Sequence, residues 1–198
     1  PIRVNTTTCN NLTFNLMSKI WGSVQIIIPF YYDDIRAFSE GLAGVKQNGK
    51  WGYIDKTGKV VIPIQYNDIR NFSEGLAGVE QDGKWGFIEK TGKVAISFQY
   101  DYAERFSDGL AGVEQNGKNG FVDKTGKVVI PIQYDYAEKF LDGLAKVKQN
   151  GKYGFVDKAG KAVIPIQYNH VWDFVMDKAI VELNGETFYI DKTGKRID

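Results

Sequence analysis

The chain is poor in the residues from which covalent cross-links, metal sites and catalytic dyads are built. It holds one cysteine, Cys9, so no disulfide forms within it. His170 is its only histidine, which leaves a zinc site without its usual imidazole and thiolate ligands, and no metal or cofactor is expected. No serine sits in a Gly-x-Ser-x-Gly elbow that would pair with that histidine for nucleophilic catalysis. Neither sign of charge prevails: 25 lysines and arginines face 24 acidic residues, interspersed along the chain, which argues against nucleic acid or an anionic membrane as partner. No apolar run approaches the roughly 18–20 residues that span a bilayer, so membrane insertion is not expected. The N-terminus lacks the basic and apolar regions of a leader. The compartment is left open between a secreted or cell-surface location, reached through a leader already removed, and the cytoplasm.

Glycine, in contrast, is plentiful, and its spacing organises the rest. Gly-Leu-Ala recurs at Gly41, Gly75, Gly109 and Gly143, 34 residues apart. Asn48-Gly49-Lys50-Trp51-Gly52 returns in altered form around Trp85, Asn119 and Tyr153, and a degenerate fifth copy runs to Asp198. Every glycine except Gly22 falls in phase, so Trp21-Gly22 is coincidental. A period of about 34 also belongs to paired-helix repeats. Several glycines and usually a proline in each unit exclude two amphipathic helices.

Within a unit, Leu42 to Gln47 alternates and leads through Asn48-Gly49, a strong hairpin signal, into Lys50 to Asp55. A two-residue turn sets Gln47 opposite Lys50, Lys46 opposite Trp51, Val45 opposite Gly52 and Gly44 opposite Tyr53. Ala43, Val45, Gly52 and Ile54 then share one face, and Lys46, Trp51 and Tyr53 the other. Asp55 to Lys59 reads as a hairpin loop with Gly58 in the left-handed region. The third strand, Val60 to Tyr66, contains Pro63, which cannot donate to a ladder and so belongs at a sheet edge or with its missing donor outward. In the linker from Asn67 to Glu74, Ile69 and Phe72 stand three apart, predicting a single helical turn.

Lys50-Trp51-Gly52-Tyr53-Ile54-Asp55, followed by Thr57-Gly58-Lys59 and Val61-Ile62-Pro63, resembles the WG-repeat family, a set of bacterial repeats also described by their Lys-Trp-Gly core. The resemblance covers about residues 26–198 and leaves 1–25 as an N-terminal cap or degenerate unit. Asn119, Tyr153 and Thr187 depart from tryptophan at the signature position. The resemblance implies an interaction or surface-associated module rather than an enzyme, and it brings no catalytic residues. The expected fold is all-β, with about five three-stranded antiparallel units in an open β-solenoid or superhelix. A closed five-bladed β-propeller is the alternative, because the repeat begins on a third strand and ends after a first hairpin.

Most recurring slots read as structural. Phe38, Phe72, Phe106, Phe140 and Phe174 share one slot as core anchors, and Tyr53, Phe87, Phe121, Phe155 and Tyr189 stay aromatic for packing. The acids at Asp55, Glu89, Asp123, Asp157 and Asp191 read as turn caps rather than calcium ligands. Lys56, Lys90, Lys124 and Lys158 beside them read as a solvated rim.

Two slots vary. The signature slot runs Trp51, Trp85, Asn119, Tyr153, Thr187 and is expected to be partly exposed. The linker slot runs Asp34, Asp68, Tyr102, Tyr136, His170, with Trp172 near its last member. Tyr102, Tyr136 and His170 then form a ladder along one edge, and with Trp172, Trp51, Trp85 and Tyr153 they are the candidate binding residues. The competing reading has these rings cover seams between repeats. The expected function is a non-catalytic, protein-binding repeat scaffold. Cell-wall or glycan binding is an alternative, since Asn-Gly-Lys-Trp-Gly-Tyr-Ile-Asp is also similar to the hairpins of choline-binding and glucan-binding repeats; a structural spacer is another.

Overall fold

The computed structural model describes residues 32–197 with their side chains, and backbone strands before them within 3–29. Gly22 and the side chains of Cys9, Trp21 and the rest of the expected 1–25 cap lie outside the described residues. All described elements are β, and the chain divides into two compact units, Pro1–Phe98 and Gln99–Asp198.

The first unit opens with an antiparallel sheet of β1 (Arg3–Cys9), β2 (Leu12–Trp21) and β3 (Val24–Pro29), in that order. Repeat 1 follows as the sheet β4 (Asp34–Ile35), β5 (Leu42–Gln47), β6 (Lys50–Asp55), β7 (Val60–Tyr66). Repeat 2 comprises β8 (Asp68–Ile69), β9 (Leu76–Gln81), β10 (Lys84–Glu89) and β11 (Val94–Tyr100), the last running across the division between the units. In the second unit, repeat 3 is β12 (Tyr102–Ala103), β13 (Leu110–Gln115), β14 (Lys118–Asp123), β15 (Val128–Tyr134). Repeat 4 is β16 (Tyr136–Ala137), β17 (Leu144–Gln149), β18 (Lys152–Asp157), β19 (Ala162–Tyr168). Repeat 5 has three strands, β20 (His170–Val171), β21 (Lys178–Leu183) and β22 (Glu186–Asp191).

The hairpin register is the expected one, from Leu42↔Asp55 through Val45↔Gly52 to Gln47↔Lys50. Asn48 and Gly49 hold φ of 51° and 79°, the two left-handed residues of a primed turn, whose twist matches that of the flanking strands. At the other end, Asp55 N–H donates to the Lys59 carbonyl at 2.9 Å, and the Asp55 carboxylate accepts from the Thr57 N–H and hydroxyl at 2.8 and 2.6 Å.

Pro63 lies on β7, an edge strand, and is exposed. Around it the register slips, so that Trp51 faces Tyr66 while Tyr53 faces Ile62, and the extra residues bulge. That bulge explains Gly52. A Cβ there would stand 2.7 Å from the Ile62 carbonyl oxygen and 2.8 Å from Ile64 Cα, and Gly86, Gly120 and Gly154 meet the same crowding in their own sheets. Repeat 5 carries Phe188 in this slot, in a sheet that among the described residues has no strand beyond β22.

The linker departs from the expected helical turn. Asp68 and Ile69 form a short fourth strand opposite Glu80 and Val79, and Asn67 and Arg70 N–H donate to the Glu80 and Gly78 carbonyls at 2.9 and 2.7 Å. The free edge of β9 offers these groups a ready ladder, which a single isolated helical turn cannot match.

In the first unit, Leu42, Trp51, Tyr53, Ile62 and Tyr66 of repeat 1 pack on Ile69, Phe72, Ala77, Val79 and Ile88 of repeat 2. The aromatic face of one sheet therefore covers the aliphatic face of the next. In the second unit, Phe121 and Tyr134 meet Ala145, Val147 and Val156, and Phe155 and Tyr168 meet Ala179, Val181 and Ile190. Tyr53 illustrates the seam: its ring meets Phe72 edge-on at 4.9 Å and its hydroxyl donates to the Arg70 carbonyl at 2.6 Å. The lysines beside the turn acids also differ from expectation. Lys90, Lys158 and Lys192 reach Glu40, Asp108 and Asp142 of the preceding repeat at 2.9, 3.2 and 3.2 Å, so they are struts between repeats and more than a solvated rim.

Candidate binding site

Repeats 1, 3 and 4 each carry one row of side chains across four strands, set by the register of the linker strand, the hairpin and the edge strand. In repeat 1 the row is Asp34, Lys46, Trp51, Tyr66. In repeat 4 it is Tyr136, Lys148, Tyr153, Tyr168. The two variable slots of the sequence are therefore two places apart in one line, with a charged residue between them.

In repeats 1 and 2 the tryptophan of the signature slot is covered. Trp51 and Trp85 are 5% and 6% exposed, contrary to the expectation of a partly open slot. The cause is a linker arginine: Arg36 stands 4.4 Å above Trp51 and Arg70 4.2 Å above Trp85. Arg36 and Arg70 are themselves tied to Asp68 at 2.7 and 3.1 Å. Trp51 and Trp85 are therefore buried beneath Arg36 and Arg70 and pack in the seams of their repeats.

Repeat 4 replaces the arginine with Glu138 and Gly44's counterpart with Lys146. The slot differs between repeats: a Cβ on Gly44 would crowd Ile69 Cδ1, whereas one on Gly112 would find Phe121 Cε1 at 3.7 Å, an ordinary contact. Lys146 Nζ reaches Glu138 and Asp173 at 2.9 Å each, joining the linkers of repeats 4 and 5, while Glu138 also accepts the Tyr136 hydroxyl at 2.8 Å. Burial works against the Lys146 charge, but the two carboxylates outweigh it and hold its pKa above the ordinary lysine value. Burial and then the Glu138 carboxylate push the Tyr136 phenol up.

With Glu138 drawn aside, Tyr153 has no arginine lid. His170 stacks on it at 6.3 Å with planes 26° apart, and Lys148 Nζ lies 4.8 Å from its ring centre. The result is an open cleft of about 590 Å³ lined by Asp135, Tyr136, Glu138, Lys146, Lys148, Tyr153 and His170. Trp172 adjoins it, 6.2 Å from His170 and 49% exposed.

The structure thus brings Tyr136, Tyr153, His170 and Trp172 together. Tyr102 is exposed at the matching place in repeat 3, where it lines a separate small pocket with Asn119 and Glu138. Sequence reasoning missed Lys146, Lys148 and Glu138. One signal was available: Gly-Leu-Ala-Gly becomes Gly-Leu-Ala-Lys only at Lys146. Among the described residues, no group of three or more His, Cys, Asp and Glu is placed to hold a metal ion.

No curated protein matches the chain. Among solved structures, a form of the Kluyveromyces lactis protein Hsv2 with loop 6CD replaced by a Gly-Ser linker is similar, with TM-score 0.51 and 8% identity over 92% of this chain and 73% of that one. Hsv2 itself gives TM-score 0.46 and 10% identity over 83% of this chain and 63% of its own. A eukaryotic initiation factor gives 0.48 and 10% over 90% and 61%. The chain spans less than two thirds of the length of the latter two. At these identities the likeness is one of β-repeat fold. The WG containing repeat matches residues 25–51, 51–85, 85–118, 120–153 and 153–186 in succession, and the chain belongs to that family.

Proposed function

We propose that the chain is a non-catalytic binding module, a protein-binding repeat scaffold whose contact site is the cleft formed by repeats 4 and 5. One observation carries this reading. The aromatic residue of the signature slot is sealed by arginine in repeats 1 and 2, and in repeat 4 it opens onto a cleft edged by exposed Tyr136, His170 and Trp172. Exposed tyrosine and tryptophan are enriched at protein contact surfaces, and charges at their rim steer the partner. The acids and bases of the cleft converge as ion pairs, with no serine, threonine or cysteine among its lining residues to serve as nucleophile, which supports a binding role over catalysis.

The test is selection from a displayed library of random peptides, followed by calorimetry of the recovered peptides on the chain and on a Tyr136→Ser/His170→Ala variant. Peptides that lose affinity in the variant are the expected result. Peptides that bind both equally would place the contact elsewhere. Sedimentation with cell walls and insoluble polysaccharides, abolished by the same variant while no peptide is recovered, would replace the protein partner with a glycan.

A further inference from the structure

Resting on that reading, we infer that the group recognised in the cleft is a carboxylate, carried by an acidic stretch of polypeptide. The inference comes from a charge inventory of the cleft walls. Asp135 Oδ1 is met by Lys118 Nζ at 2.5 Å, and that ammonium above all holds the Asp135 carboxyl below its ordinary pKa. Glu138 is matched by Lys146 and the Tyr136 hydroxyl, and Lys146 is shared with Asp173. Lys148 differs. No carboxylate among the described residues lies within ion-pair distance of its ammonium, which stands over Tyr153.

The other repeats supply the control. The Lys148 slot holds Glu80, Glu114 and Glu182 in repeats 2, 3 and 5, and in repeat 1 Lys46 has the acid Asp34 as its cross-strand neighbour. Of the two lysines in this slot, Lys148 is the one that stands between two neutral neighbours in its row, Tyr136 and Tyr153. An incoming carboxylate meets the Lys148 ammonium with the His170 imidazole beside it, and Tyr136, 44% exposed, offers a surface for the adjoining apolar part of the ligand. A polypeptide fits better than a sugar. The Tyr153 ring already meets His170 and Lys148, which disfavours a sugar stacked there, whereas the charge of an acidic side chain is matched by the Lys148 ammonium.

The experiment uses fluorescence anisotropy of the whole chain with three labelled probes: a glutamate-rich octapeptide, its glutamine counterpart, and an oligogalacturonate of equal charge. The variant is Lys148→Glu, a residue that repeats 2, 3 and 5 already accommodate, with circular dichroism confirming its fold. The expected result is saturable binding of the glutamate peptide, about tenfold tighter than the glutamine peptide, weakened about tenfold in the variant and further by added salt. Equal binding of the two peptides, or unchanged affinity in Lys148→Glu, overturns the carboxylate while leaving the binding module standing. Tighter binding of the oligogalacturonate overturns the polypeptide. Failure of all three probes to bind overturns the inference altogether, and the library selection then decides separately whether the cleft binds peptides of another kind.

Discussion

His170 stacks on Tyr153 across the junction of repeats 4 and 5, with ring centres 6.3 Å apart. The same slot in repeat 2 holds Trp85, covered instead by Arg70 at 4.2 Å. One position in the repeat thus serves the core in one copy and the surface in another, and the linker residue decides which.

Replacing these two aromatics therefore gives different outcomes. Trp85→Ala removes a buried indole and should destabilise the protein by about 3–5 kcal/mol. Tyr153→Asn, which installs the residue that repeat 3 carries as Asn119, should cost about 1 kcal/mol or less. Urea unfolding followed by circular dichroism checks the ranking; equal losses would mean that Tyr153 is core.

The two glycine slots separate in the same way. Gly120→Ala forces a Cβ to within 2.7 Å of the Ile130 carbonyl oxygen, so backbone must move. A loss of about 2 kcal/mol or more is expected. Gly112→Ala meets nothing closer than 3.7 Å, and restricting the unfolded chain should leave it neutral or stabilised by up to about 1 kcal/mol. Thermal melting of both variants tests the contrast.

The turn acids predict an acid dependence. The Thr125 hydroxyl, and then the Thr125 and Lys127 N–H groups, hold the Asp123 carboxyl below its ordinary pKa, and Asp55 and Asp191 are held likewise by Thr57 and Thr193. A depressed folded pKa means a stabilisation that is present above the unfolded value and lost as pH falls through the folded one. Carboxyl carbon NMR titration should show Asp123 ionising below the usual range, and Thr125→Ala should move it back up. An unchanged titration would contradict the turn-cap geometry.

The struts between repeats are expected to be weak. Lys158 and Asp108 are 3.2 Å apart with side chains 44% and 54% exposed. Lys158→Ala should cost less than about 1 kcal/mol, and the difference should vanish in about 1 M salt, where screening is nearly complete at a few ångströms. A loss that survives high salt would indicate packing by the lysine stem.

Much of the fold was legible because it rests on backbone chemistry that few residues satisfy. Asn48-Gly49 fixed the register and with it the faces, and Pro63 marked the edge strand. The linker strand was not legible: two residues are too few to show a period of two, and Ile69 and Phe72, three apart, imitate a helical turn. The burial of Trp51 was misread because its lid, Arg36, lies in the preceding linker. A cue was present all the same. Arginine in the linker accompanies tryptophan in repeats 1 and 2, and glutamate accompanies Asn119 and Tyr153 in repeats 3 and 4. The exposure of Tyr136 and His170 was legible, since a slot that varies between repeats stands out against a constant core. Lys148 was not, because a lysine on a hairpin looks like any solvated charge until its neighbours are known to be neutral.

The most direct test of the binding cleft is an amide NMR titration of the isotope-labelled chain with a peptide recovered by library selection. Shifts concentrated at residues 135–153 and 170–172 are predicted. Shifts centred on Trp51 or Trp85, with the residues of the cleft unmoved, would contradict it.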